Sequence, residues 1–256
     1  MRLLVISISL FSLFFILSAN SIGRAEFADA GNTGAPWEDG LVCGNCHLGG
    51  PYGPVDQSLT LKDPISGQEV NAYMPGKVYD VEITVLPTIN PSRYGFQATV
   101  LGPDTLNAGI WQNPSNAVQI DSATLNGHPS RRAYVEQQFP GFSPTFRVEW
   151  RAPLCDIGPV TFYFIGNAVN NNQSTSGDVG GFGSSRTYQS DIPSFISIDT
   201  TDIVGGFYLA EDSISIKGNI LQGNHVILGS TLGTNSYGLE IDSSSILEVL
   251  LTTCIE

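Results

Sequence analysis

Three stretches in the middle of the chain alternate strictly between apolar and polar residues, and this period of two limits the fold more than any other feature. In KVYDVEITVLP, Tyr79, Val81, Ile83 and Val85 fall on one side, and Asp80, Glu82 and Thr84 on the other. RYGFQATVL repeats the pattern with Tyr94, Phe96, Ala98 and Val100, and FRVEWRAP repeats it with Phe146, Val148 and Trp150. Successive side chains of a strand point to opposite faces, so each stretch predicts a strand with one buried face. GPVTFYFIGNAV is apolar on both sides and predicts a central strand. With 28 Gly and 15 Pro among 256 residues between such runs, the chain reads as all-β, built on an antiparallel β-sandwich.

The N-terminus predicts export. Arg2 supplies a positive start, Leu3 to Leu17 form an apolar run, and small residues stand at Gly23 and Ala25. This is the pattern of a secretory signal cut after Ala25, and its apolar run is shorter than the roughly 20 residues that span a bilayer. No later stretch is apolar enough to span. Removing residues 1–25 takes away Arg2 and Arg24 and no acidic residue, leaving 9 Lys and Arg against 24 Asp and Glu. A chain this acidic repels phosphate backbones, which argues against nucleic acid as a partner. The carboxylates are scattered as on a solvated surface, without the spacing of a calcium loop.

The chemistry-bearing motif is CGNCH, Cys43 to His47, within GAPWEDGLVCGNCHLGG. C-x-x-C-H is the attachment signature of c-type haem. Two thiols three residues apart reach the two vinyl groups of one porphyrin, and His47 supplies an axial nitrogen to the iron. With three histidines in the chain, one follows a given CxxC by chance only about once in 85 cases. The alternatives are a structural disulfide or turn, thiol exchange, and a metal site. Thiol exchange lacks the βαβ pattern around it, and zinc lacks a nearby fourth ligand. Residues 26–60 show no periodicity, which places the motif on a loop-rich segment.

For a second axial ligand, Met74 is the only methionine after signal removal; His128 and His225 are the other candidates. Met74 also reads as packing at the sandwich entrance. Cys155 and Cys254 remain as an even pair in an oxidising compartment; a bridge would close about 100 residues, worth about 4–5 kcal/mol in the chain-entropy model. Asp178 in STSGDVGG reads as an ordinary turn residue before an ion site. Trp37, Trp111 and Trp150 read as core or rim aromatics, Trp150 most clearly as core. No nucleophile elbow, zinc-protease helix or phosphate loop is present, so no catalytic residue is assigned.

GAPWEDGLVCGNCHLGG, YMPGKVYDVEITV, RYGFQATVL, VEWRAP and GPVTFYFIGNAVNNNQSTSGD follow one another in an order that resembles choice-of-anchor V domains, bacterial secreted modules related to the reeler (reelin N-terminal) sandwich. The resemblance covers about Gly34 to Asp178. It implies an immunoglobulin-like sandwich in an exported, often surface-attached protein. From Ile203 to Cys254 short Ile, Leu and Val pairs alternate with glycine corners, which suggests a small stacked β-repeat unit. That tail loosely resembles the β-stack ending many Bacteroidetes-type secreted proteins. The expected organisation is a signal over 1–25, a loop-rich CxxCH segment over 26–60, the sandwich over 61–190 and a β-stack tail over 191–256. Two functions stand open. One is a haem c protein passing electrons to a redox partner at the envelope of a Gram-negative bacterium, in its periplasm, at its surface or outside it. The other is a non-catalytic module for adhesion or for an extracellular ligand, with the CxxC as a disulfide.

Overall fold

The computed structural model describes residues 22–154 and 156–191 and, beyond them, the backbone of five short strands. A short helix α1 (Arg24–Ala28) and a 3-10 turn (Cys43–Asn45) precede the strands β1 (Leu48–Gly49), β2 (Val55–Lys62), β3 (Ala72–Tyr73), β4 (Val78–Pro87), β5 (Arg93–Leu101) and β6 (Ile110–Gln112). Then come β7 (Val118–Ala123), β8 (Arg132–Gln137), β9 (Thr145–Arg151), β10 (Val160–Val169), β11 (Ser176–Gly180) and β12 (Ser184–Ser190).

Two sheets face each other. The smaller runs β2-β4-β9-β6; the larger runs β1-β11-β10-β5-β8-β7, with β12 also on β10 and β3 on β12. Pairing is antiparallel apart from the short β1–β11 and β3–β12 contacts, which are parallel. The alternation read from the sequence sets the register. Tyr79, Val81 and Ile83 of β4 stand opposite Trp150, Val148 and Phe146 of β9, and all six are at most 3% exposed. From the other sheet Phe162 meets Trp150 edge-on at 5.0 Å, and Phe96 stacks on Phe146 at 4.3 Å. β10 lies between β5 on one side and β11 and β12 on the other, the central position its two apolar faces require.

The sandwich begins earlier than residue 61. β2 starts at Val55 and turns Val55, Leu59 and Leu61 inward. Gln57 occupies the remaining position of that face, which hides the alternation in the sequence; its amide donates to Phe182 O (2.7 Å) and Ser184 Oγ (2.6 Å).

The loop-rich segment is part of the fold. Residues 24–42 run as a strap over the outer face of the larger sheet, where Arg132, Tyr134 and Glu136 of β8 are each fully buried. Tyr134 OH donates to Glu38 Oε1 at 2.7 Å, Arg132 lies 3.7 Å from the same carboxylate, and Asn32 N–H donates to Gln97 Oε1 at 2.7 Å. Buried polar groups need such partners, and the strap supplies them. Burial and the Glu38 charge together push the Tyr134 phenol well above its ordinary range.

Beyond residue 191, β13 (Ser197–Thr200) pairs in parallel with β15 (Ser215–Gly218). β14 (Phe207–Tyr208) and β17 (Glu248–Leu251) each pair in parallel with β16 (Val226–Gly229). Cys155, His225 and Cys254 lie outside the described residues, and so does the proposed Cys155–Cys254 bridge.

Candidate functional site

The CGNCH segment sits where the edge of the larger sheet is split. β11 ends at Gly180, β12 begins at Ser184, and both lie along the same side of β10. Gly44 N–H donates to Gly181 O (3.1 Å), Gly180 N–H to His47 O (2.9 Å), and Gly50 N–H to Asp178 O (2.9 Å). Within the motif, Cys46 N–H and His47 N–H both donate to Cys43 O, at 3.2 and 3.0 Å. Asn45 Oδ1 accepts from Val42 N–H at 2.6 Å, which closes the turn. Gly180 permits this seat: a Cβ there would stand 2.4 Å from the Cys43 carbonyl carbon, a distance only glycine avoids.

His47 is the fixed point of the site. Its Nδ1 lies 3.0 Å from Asp178 Oδ2, and the other carboxylate oxygen accepts from Asn170 N–H at 2.8 Å. The Asp178 side chain is 3% exposed and that of His47 22%. A carboxylate only accepts, so the proton of this bond resides on Nδ1, and in the neutral ring the lone pair is on Nε2. No described residue bonds to Nε2. A carboxylate holding the far nitrogen of a histidine is the arrangement that orients metal-bound imidazoles.

The two cysteines differ. Cys46 is exposed, Cys43 is half-buried, and both are thiols. The sulfur of Cys43 is directed inward towards Asn167, and burial pushes its thiol up to about 12. Exposed apolar side chains flank the motif: Leu48 directly after His47, and Phe182 beside Gly44.

No family model and no curated protein matches the chain. Among solved structures it is similar to the Reelin-N domain of F-spondin, with 17% identity over 57% of this chain and 93% of that one and a TM-score of 0.38. It is similar to the human F-spondin reeler domain, with 19% identity over 57% and 95% and a TM-score of 0.36. It is also similar to a cohesin module from a family 33 glycoside hydrolase of Clostridium perfringens, with 9% identity over 54% and 98% and a TM-score of 0.36. These similarities concern fold and carry no residue of the CGNCH site across.

Of the residues singled out in the sequence, Cys43, Cys46 and His47 share one turn, and the structure does not add Met74 to them. Met74 follows β3, which pairs with the far end of β12 at Gln189 and Ser190, while the motif lies at its near end. β12 spans about 20 Å at the rise of a strand, and that length separates Met74 from His47. The residue is half-exposed, and its N–H donates to Tyr79 OH at 2.7 Å, which fits packing at the sandwich entrance. His128 lies edge-on to Trp37, with Nδ1 2.7 Å from Ser130 O and Nε2 3.3 Å from Thr105 O. Both of its nitrogens are engaged by backbone.

Asp178 was undervalued in the sequence: it is a buried residue of β11 and the partner of His47, where a turn residue was expected. Nothing in STSGDVGG signals that role, because the histidine it meets stands 131 positions away. Trp150 is core and fully buried, Trp111 is 6% exposed, and Trp37 is a half-exposed rim residue. Among the described residues no three of His, Cys, Asp and Glu are grouped as a structural zinc site needs. No helix among them is long and apolar enough to cross a membrane.

Proposed function

We propose that this is an exported reeler-like module of the bacterial cell envelope that carries one covalent c-type haem on CGNCH and passes electrons. The observation that carries the reading is the His47–Asp178 pair, which holds the ring by Nδ1 and leaves Nε2 as the outward coordinating atom. Most of the donor set fits. Cys46 is exposed for a thioether, His47 is oriented, and Leu48 and Phe182, at 60% and 74% exposure, offer apolar cover at the same edge. Cys43 is the exception, because its thiol faces Asn167 and must turn outward to form the second thioether.

Once bound, a haem supplies a one-electron iron couple. This chain's part is to hold and tune it. Asp178 fixes the orientation of the His47 ring through the Nδ1 proton, and the backbone bonds to Gly180 and Gly181 hold the turn against the sheet edge.

The test is production of the exported chain with haem-attachment machinery. The reading expects a Soret band, one added haem mass and no free thiol at Cys43 or Cys46. An intact Cys43–Cys46 disulfide under those conditions overturns it. The second reading is a non-catalytic extracellular adhesion or ligand-binding module with the CxxC as a structural disulfide. That disulfide is the outcome expected of it.

A further inference from the structure

Glu136 is a fully buried carboxylate with no cation beside it. It accepts from Ala25 N–H (2.9 Å, Oε2), Glu26 N–H (3.0 Å, Oε1), Gln97 Nε2 (3.0 Å, Oε2) and Gln119 Nε2 (3.2 Å, Oε1). All four donors are neutral, and no described lysine or arginine pairs with it. A buried carboxylate without a counter-charge is costly, and native folds nearly always supply one. The local field is negative besides. The Glu26 carboxylate lies beside Asp121, whose hydrogen bond and charge raise its pKa, and Arg24 is turned away to Asn32 Oδ1.

Independently of the structure, the apolar run and the small residues at Gly23 and Ala25 place the leader cut between Ala25 and Glu26. We infer that this cut completes the fold: the new α-ammonium of Glu26 docks on the buried Glu136 carboxylate and becomes its counter-ion. The step is hydrolysis of the Ala25–Glu26 amide by a leader endopeptidase. Water adds across the bond, Ala25 leaves with a carboxylate, and the Glu26 amine takes up a proton. The nitrogen concerned stands 3.0 Å from Oε1, so when the strap docks the ammonium brings three N–H donors where the uncut chain offers two separate amides. Ala25 is 3% exposed and packs against Ala123 and Tyr134; a peptidase therefore reaches this bond only before the strap has docked, which puts cleavage ahead of folding. Gly23 lies directly over the carboxyl group, where a Cβ would stand 1.8 Å from Glu136 Cδ.

The test uses the exported full chain. N-terminal sequencing is expected to give Glu26 as the first residue. Acylation at neutral pH is expected to modify the lysines while the Glu26 α-amine reacts at least 10-fold slower than in denaturant. Glu136→Gln is expected to abolish that protection and to lower Tm by about 5–15 °C, the range for losing one partner of a buried pair in a domain of this size. A mature chain carrying an acetyl group on the Glu26 α-nitrogen, which removes the positive charge, is expected to lose stability in the same way, which covers the case in which Glu136→Gln does not fold. A first residue other than Glu26 overturns the inference, as does a Glu26 amine acylated equally fast folded and denatured.

Discussion

Replacing Asp178 tests the one contact on which the site depends. Its carboxylate serves two donors, His47 Nδ1 at 3.0 Å and Asn170 N–H at 2.8 Å, and both donors are part-buried. Leaving a buried donor unpaired costs about 1–3 kcal/mol. Partial exposure of both puts each near the low end, so Asp178→Ala costs about 2–3 kcal/mol. For a domain of this size that is about 5–10 °C in Tm. Asp178→Asn keeps one acceptor oxygen but turns an NH2 towards the second donor, and costs about half as much. Thermal melts by circular dichroism measure these shifts. Nitrogen-15 NMR of the imidazole gives a readout that packing alone does not move: wild type shows the proton on Nδ1, and Asp178→Ala shows a mixture of tautomers. In haem-loaded protein the same change is expected to raise the reduction potential, because it removes the negative charge of Asp178 behind the imidazole, which favours the ferric state. Wild-type His47 carrying its neutral-ring proton on Nε2, or an Asp178→Ala melt within 1 °C of wild type, refutes the reasoning.

The thiols make a second prediction: in protein made without haem attachment, iodoacetamide labels Cys46 and spares Cys43. A thiol pushed from 9.0 to about 12 holds roughly 1000-fold less thiolate at neutral pH, and mass-spectrometric mapping of equal labelling at both sites would contradict it. Trp150→Ala removes the ring that meets Phe162, Tyr73 and Tyr79 and leaves Ala108 O without its donor. It is expected to cost about 3–5 kcal/mol in urea unfolding. On the surface, Lys62 and Arg147 hold the Glu82 carboxyl below its ordinary 4.5, and the Lys77 ammonium does the same to Asp63. Both folded values are depressed, so the stability they contribute is full above the unfolded carboxylate range and is lost as pH falls through the folded values. The Tm of wild type therefore declines below about pH 4.5 more steeply than that of Glu82→Gln, and parallel acid limbs would remove this assignment.

The sandwich was legible in the sequence because its signal is local. Tyr79, Val81, Ile83 and Val85, like Phe146, Val148 and Trp150, alternate within single strands, and a strand's two faces are written at a spacing of two. CGNCH was legible for the same reason: its thiols and imidazole lie within one turn. What sequence alone could not determine is every partnership across distance. β2 was masked at Gln57, a polar residue on an inward position whose partners, Phe182 and Ser184, come from beyond β11. Gln97, Arg132, Tyr134 and Glu136 look like solvent-facing residues of half-buried strands until the strap lies over them. The pairing of His47 with Asp178, the inward seat of Cys43 against Asn167 and the separation of Met74 from the motif by the length of β12 are decided by tertiary structure alone. Local periodicity reports which face of a strand is apolar, but which polar groups end up facing one another depends on how the sheets and the strap close around them.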